Sequence, residues 1–356
     1  MIFIRTLIPD PLLISYAAIL TYSIVCTMLI TPLVRKFALR TNFVDTPAPR
    51  RVHENVIPNI GGVAFVISFL SALILSSFFN AQFEFLFTLR FLALASATIV
   101  IIVAGLYDDA KGLNFIQKFG IQVLVGFILF EGGFRIETIP TIFSTPIDLG
   151  YFALPVTILW ISALCNAINL IDGLDGLAAG LVSIASSLIF LLSILQHDYI
   201  GGLMSLILAG VTVAFLYYNF YPAKIFMGDT GSLFLGLVLS CIMIHKIEFA
   251  QSSNQIISLT LILGIPVFDM ALTIIRRALR HRHLFRADRL HVHHRLIDML
   301  GMSHKKAVLT LYGWSFCFGF IGCIVTFGGQ NIILAGCAII LFILGYAATK
   351  LRYFSA

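Results

Sequence analysis

Apolar runs of about 20 residues, the length an α-helix needs to cross a bilayer, recur along nearly the whole chain. The stretch Ser232–Ile244, SLFLGLVLSCIMI, shows the pattern: it carries no charge and no polar–apolar alternation. A membrane β-barrel needs that alternation, so continuous runs select helices. Composition agrees, with 59% hydrophobic and 11% charged residues, where a soluble domain has about half and a quarter. Outside the runs no stretch is long enough for an independent core. The expected fold is all-α: one polytopic membrane domain over residues 1–356.

The runs predict eleven spans, at 13–34, 60–80, 88–107, 114–131, 151–170, 174–196, 201–220, 229–246, 255–279, 306–328 and 331–350. Segment 133–150 alternates weakly, holds Pro140 and Pro146, and reads as a short external hairpin. Loop charge sets the orientation. With the N-terminus outside, nineteen of the 23 basic residues fall in inner loops, leaving Arg5, Arg90, Arg135 and Lys246 outside. The chain is thus expected N-out and C-in. It shows no basic leader followed by a cleavage site, so the first span reads as retained. The six cysteines all lie within apolar runs, without a CxxC pair, and read as small core residues.

That orientation places four polar motifs on the inner face. The third span ends in GLYDDAKGLNFIQK, with Asp108, Asp109 and Lys118. The fifth runs into NAINLIDGLDGLAAG, with Asn166, Asn169, Asp172 and Asp175. The seventh leaves through YYNFYPAKIFMGDTGS, with Asn219, Lys224 and Asp229. The ninth is followed by RADRLHVHHRL, with Arg289, His291, His293 and His294. The inner loops near 35–59, 108–118, 169–176, 219–231 and 280–305 are therefore the expected catalytic loops. Each motif also has a plain reading, as a solvated helix end, a glycine turn or a helix cap. Their convergence is the stronger signal, because carboxylates near a bilayer are costly without partners. The outer acids Glu84, Glu131, Glu137, Asp148, Asp198 and Glu248 form no paired motif.

Carboxylates beside a basic loop suit a hard cation with a phosphorylated ligand. No Walker A sequence and no GxGxxG occurs, which turns the reading away from ATPases and dinucleotide enzymes; nothing points to nucleic acid. For the histidines, zinc is the weakest reading, since helical zinc sites favour HExxH and structural ones use cysteines. A solvated basic loop and an anion clamp remain, with the clamp favoured. In an extended segment His291 and His293 share a face, and a nearby pyrophosphate would raise their pKa. Arg50, Arg51 and His53 of the first inner loop read equally as a lipid-phosphate contact or as positive-inside charge. Asp269 lies inside the ninth span; a break at Pro266 would bring it towards the inner cavity, and the alternative is a buried acid satisfied by backbone.

In this order, GLYDD, NLIDGLDGL, KIFMGDTGS and DRLHVHHRL, the motifs resemble those of the polyprenyl-phosphate N-acetylhexosamine-1-phosphate transferases of glycosyltransferase family 4. The likeness runs from RVHENVIPNIGG to HVHHRLIDMLGMSHKKAVL. Such integral membrane enzymes move a sugar-1-phosphate from a UDP-sugar to a polyprenyl phosphate such as undecaprenyl phosphate. The resemblance implies Mg²⁺, or Mn²⁺ in its place, on Asp229. It implies that Asp108 and Asp109 meet the lipid phosphate, one of them as base, and that Lys118 contacts phosphate. Asn169, Asp172 and Asp175 would lie near the nucleotide and metal, and Asn219 and Lys224 would flank uridine. Arg289, His291, His293 and His294 would hold the sugar pyrophosphate. It further implies the bacterial inner membrane, an active site facing the cytoplasm, and a homodimer as a possible assembly. The HxHH spelling resembles the branch that starts O-antigen, enterobacterial common antigen or teichoic-acid polymers from UDP-GlcNAc, rather than the branch making lipid I from UDP-N-acetylmuramoyl-pentapeptide. Direct attack by the lipid phosphate is favoured over an aspartyl intermediate, and both stay open. The rival from another class is a transporter, which would place charge near the midplane and show two related halves.

Overall fold

The computed structural model describes residues 11–45, 56–83, 88–139, 146–249, 253–280 and 290–329, with positions 336, 338, 345, 349 and 350 beyond them. Among these the chain is a helical bundle: α1 (Pro11–Thr41), α2 (Gly62–Ser76), α3 (Leu89–Lys111), α4 (Phe115–Glu131), α5 (Ala153–Ile171), α6 (Leu177–Leu195), α7 (Tyr199–Asn219), α8 (Gly228–Glu248), α9 (Ser253–Ile262), α10 (Gly264–Leu279), α11 (Val292–Asp298) and α12 (His304–Phe327). Two antiparallel pairs of two-residue strands join helices, β1 (Val44–Asp45) with β2 (Ile57–Pro58) and β3 (Thr138–Ile139) with β4 (Ile147–Asp148). The second pair is the short hairpin expected within 133–150.

The protein is an all-α, multi-pass membrane protein. Among the described residues seven helices are long and apolar enough to cross a membrane: α1, α3, α5 with its lead-in turn, α6, α7, α8 and α12. The pair α9–α10 makes an eighth as one bent span, turning by 85°. Helices α2 and α4 stand where spans were expected, but 15 and 17 residues at 1.5 Å each fall short of the roughly 30 Å core. By length and composition the described residues thus hold seven or eight spans. The expected span 331–350 lies mostly outside the described residues. The break in the ninth span also falls elsewhere than predicted. It lies at Leu263, while Pro266 sits in the first turn of α10, where a missing N–H costs nothing.

Helix α8 forms the centre: 89% of its apolar window is buried, against 28% for the peripheral α1. Neighbouring helices reach it closely because small residues stand at the crossings. A Cβ on Gly105 of α3 would lie 2.4 Å from the Thr230 Cα. Helix α1 shows the matching inside-out pattern. Its buried face is Ser15, Ile19, Ser23, Thr27, Thr31 and Ala38, whereas Leu29, Leu33 and Phe37 point outward. The buried hydroxyls return hydrogen bonds to carbonyls one turn back, as Thr27 does to Ser23 (2.8 Å) and Thr31 to Thr27 (2.7 Å). Polar atoms away from water are satisfied that way.

Candidate active site

The bundle brings the C-terminal ends of α3, α5 and α7 to the N-terminal ends of α4 and α8. The start of α8 is pinned from outside. Gly61 and Gly62, at the N-terminal end of α2, donate to the carbonyls of Phe226 and Met227 (both 2.9 Å), and Phe226 donates to the Pro58 carbonyl (2.7 Å). The PNIGG segment therefore fixes the loop that presents Asp229.

Helix α8 has no cap of its own, since Met227 at its N-cap makes no side-chain bond. Asp109 serves in its place. Its carboxylate accepts from the Asp229 N–H (2.8 Å), the Thr230 N–H (3.2 Å) and the Thr230 hydroxyl (2.8 Å). A carboxylate on the first N–H groups of a helix satisfies orphan donors and favours the dipole. Asp108, one residue earlier, accepts from the Leu113 N–H (2.6 Å) and meets the Lys118 ammonium. Lys118 stands in the first turn of α4, where Asn114 and Gln117 form a capping box. Its Nζ also lies 2.5 Å from Asp229 Oδ2. The other oxygen of Asp229 accepts from Asn169 Nδ2 (2.8 Å), which also reaches the Ser232 hydroxyl (2.9 Å).

Two carboxylates thus converge on one cation, here the Lys118 ammonium. Among the described residues no group of three or more His, Cys, Asp or Glu side chains gathers in metal-holding geometry. The pair Asp108–Asp229 nevertheless fits a hard cation that takes one or two carboxylates and completes its shell with phosphate oxygens and water.

The IDGLDG turn forms a second wall. Asp172 caps α5, and its carboxylate takes no hydrogen bond from the described residues. Burial, then the nearby charges of Asp229, Asp109 and Asp175, raise its pKa to about 8. Asp175 accepts from the Ala223 N–H (2.9 Å), and its own N–H donates to His304 Nε2 (2.9 Å). Asn219 is buried; it accepts from the Gly176 N–H (3.1 Å) and donates to the Ile225 carbonyl (2.9 Å). Asp175 and Asn219 therefore lock the IDGLDG turn to the PAK loop. Lys224 is exposed, with its ammonium 5.6 Å from the centroid of the Tyr217 ring.

The histidine segment closes the third side, in a different form from the one expected. Only His291 is extended (ψ 156°); from Val292 the chain is helical, so HVHH is not an extended strand. The rings of His291 and His293 still stack, 6.0 Å apart and 5° from parallel, and His294 lies 4.2 Å from His293. His293 is buried, with no hydrogen-bond partner for either ring nitrogen among the described residues. Its ring sits on the acidic turn: a Cβ on Gly173 would lie 2.3 Å from His293 Nε2. Burial, then the adjacent His294, push the His293 pKa down to about 3. The protein's own groups thus favour the neutral ring. Arg289 lies outside the described residues, as do Arg50, Arg51 and His53.

PNIGG and Gly173 were read only as part of a loop and of a turn, and three contributors escaped the sequence reading: His304, Ser232 and Arg276. The last is fully buried and, with Arg295, donates to the Leu290 carbonyl (2.9 and 2.8 Å), fixing the entry to α11. Paired glycines and a basic residue at the end of an apolar helix were the available signals.

Residues 90–247, spanning α3 to α8 and all five clustered aspartates, match the model of glycosyl transferase family 4. The chain is 37% identical over 310 residues to the "Probable undecaprenyl-phosphate N-acetylglucosaminyl 1-phosphate transferase" of Bacillus subtilis (strain 168), covering 87% of this chain and 84% of the relative. It is 33% identical to the decaprenyl-phosphate N-acetylglucosaminephosphotransferase of Mycolicibacterium smegmatis (strain ATCC 700084 / mc(2)155), over 91% of this chain and 84% of that one. It is 31% identical to the phospho-N-acetylmuramoyl-pentapeptide-transferase of Halalkalibacterium halodurans, over 82% and 92%. Shared identity over most of both lengths, with a family match that spans the acidic cluster, makes this chain a member of glycosyl transferase family 4.

Proposed function

We propose that the protein transfers N-acetylglucosamine-1-phosphate from UDP-GlcNAc to undecaprenyl phosphate, releasing UMP. The product is the pyrophosphate-linked lipid sugar that begins a cell-envelope polysaccharide. The observation that carries this reading is the convergence of Asp108, Asp229, Lys118 and Asn169 beneath the histidine segment. Similarity to the Bacillus subtilis and mycobacterial relatives supports the donor and acceptor classes.

In this scheme Asp108 and Asp229 hold Mg²⁺, with Mn²⁺ able to replace it. The ion, when bound, neutralises pyrophosphate charge as the bond to the leaving UMP breaks. Lys118, seated between those carboxylates, would contact a phosphate oxygen of the bound substrate. Asp109 keeps the α8 N-terminus and Asp229 in register. Asp108 or Asp109 serves as the base that takes the proton of the lipid phosphate. An oxygen of the ionised lipid phosphate then attacks the β-phosphorus directly. His291, His293, His294 and Arg289 hold the sugar-pyrophosphate side, while Asp175, Asn219 and Lys224 shape the nucleotide side.

The site faces the cytoplasm of a bacterial inner membrane, with eleven spans, N-terminus outside and C-terminus inside, and a homodimer is the assembly expected. The 19:4 split of basic residues supports this orientation. Assaying the purified protein with undecaprenyl phosphate and either UDP-GlcNAc or UDP-N-acetylmuramoyl-pentapeptide tests the donor. Lipid product from UDP-GlcNAc supports the proposal, and product only from the pentapeptide donor overturns it.

A further inference from the structure

Asp269 lies in α10, inside the bent span, and is 4% exposed. Its Oδ1 accepts from the Val292 N–H (2.8 Å), one of the first donors of α11. Its Oδ2 lies 2.8 Å from His291 Nδ1. A carboxylate oxygen needs a donor at that distance, which assigns the proton to Nδ1. Nε2 is then the ring atom left on the side away from Asp269. The His291 ring stacks parallel to that of His293, and His293 packs on Gly173 beside Asp172. One carboxylate within the membrane span thus sets the first link of a chain of rings ending at the acidic turn.

We propose that Asp269 is the positioning residue for His291: it holds the imidazole as the Nδ1–H form and aims Nε2 at the sugar-pyrophosphate side of the site. The inference rests on the proposed transfer reaction. A carboxylate buried in an apolar span is costly unless it is hydrogen-bonded. Here its oxygens take one backbone donor and one imidazole donor, which fixes the ring's position and rotation together. Capping α11 alone would need only Oδ1. The second oxygen is spent on the ring.

Asp269→Asn separates the two tasks. The amide oxygen still accepts from Val292, but the amide nitrogen meets Nδ1–H donor to donor, so the ring must turn or change tautomer. His291→Asn keeps a donor towards Asp269 and removes Nε2. The test measures kcat, KM for UDP-GlcNAc and thermal stability for the full-length wild type, both single variants and the double variant in detergent. Asp269→Asn is expected to lower kcat about 10- to 100-fold, the range for groups that orient a functional histidine, with KM changed less and folded protein retained. The double variant is expected to be no slower than His291→Asn alone, because Asp269 acts through that ring. Wild-type kcat in Asp269→Asn, or losses that multiply in the double variant, would overturn the inference. So would failure of both Asp269→Asn and Asp269→Ser to fold, which assigns the carboxylate to the fold. A wild type that makes no lipid product sinks the transfer reading and this inference with it; an active wild type beside an active Asp269→Asn sinks the inference alone.

Discussion

Gly173 leaves room for the His293 ring, and that vacancy joins the acidic turn to the histidine helix. A methyl group there would lie 2.3 Å from Nε2 and 3.0 Å from Cε1. We expect Gly173→Ala to lower the transfer rate about 10²-fold, the cost of misplacing a reacting group by roughly 1 Å, with the folded yield unchanged; an unchanged rate would show that the ring can give way. Asp172, its neighbour, predicts a pH effect. In the folded chain it keeps its proton up to about pH 8, whereas an unfolded aspartate releases it near about pH 4. Between those values the folded state binds more protons, so this group makes stability fall as pH rises. With EDTA present, Asp172→Asn should therefore gain thermal stability over wild type increasingly from pH 5 to pH 8. A constant difference would contradict the assignment. The acids themselves were legible as residues, because DD, DGLDG and GDTG are unusual at the edge of apolar runs. Their division of labour was not. That Asp109 braces the α8 start while Asp108 faces Lys118 depends on which side of α3 each one takes.

At the level of helices, the end of the bundle opposite the site carries a network that no local motif announces. Asp198 precedes α7, where its Oδ1 accepts from the Gly201 N–H (2.9 Å). It also meets His245 (2.9 Å) and Lys246 (3.0 Å) at the end of α8. Burial alone would raise its pKa, but bonding to His245 and the charges of His245 and Lys246 bring it down to about 2. Arg90 at the start of α3 pairs with Glu248 (2.7 Å), and the Arg135 N–H reaches the same carboxylate (3.4 Å). Three of the four basic residues that break the inner-loop charge bias have acidic partners, Arg90 in Glu248, Lys246 in Asp198 and the Arg135 guanidinium in Glu137 (3.8 Å). Asp198→Asn leaves Lys246, only 3% exposed, without its counter-charge. It should cost about 3–5 kcal/mol of stability, as removal of one member of a buried pair does, with the turnover of folded protein unaffected. Equal unfolding temperatures for variant and wild type would refute this. Helix positions were readable from run length, since ten expected spans coincide with helices or the bent pair. The 85° turn at Leu263 and the seven-residue α11 were not; α11 is held by contacts between distant residues, Asp269 to Val292 and Arg276 to Leu290.

For the whole molecule, helices that differ in depth and burial serve to bring three helix C-terminal ends and two N-terminal ends to one place at the membrane edge. Order of motifs along the chain made that convergence legible, because an even number of crossings separates helix ends that must share a face. What it left open was which group balances the clustered acids in the resting protein, and the structure gives that role to Lys118. The account stands on one reaction at this place, and one labelling measurement tests it. Purified protein, undecaprenyl phosphate, Mg²⁺ and UDP-GlcNAc labelled in the β-phosphorus should yield labelled lipid together with an equal amount of UMP. Asp229→Asn should reduce both by about 10²-fold or more, since it removes a group that compensates developing charge. Release of UDP in place of UMP, label that stays out of the lipid, or an undiminished rate in Asp229→Asn would contradict the account.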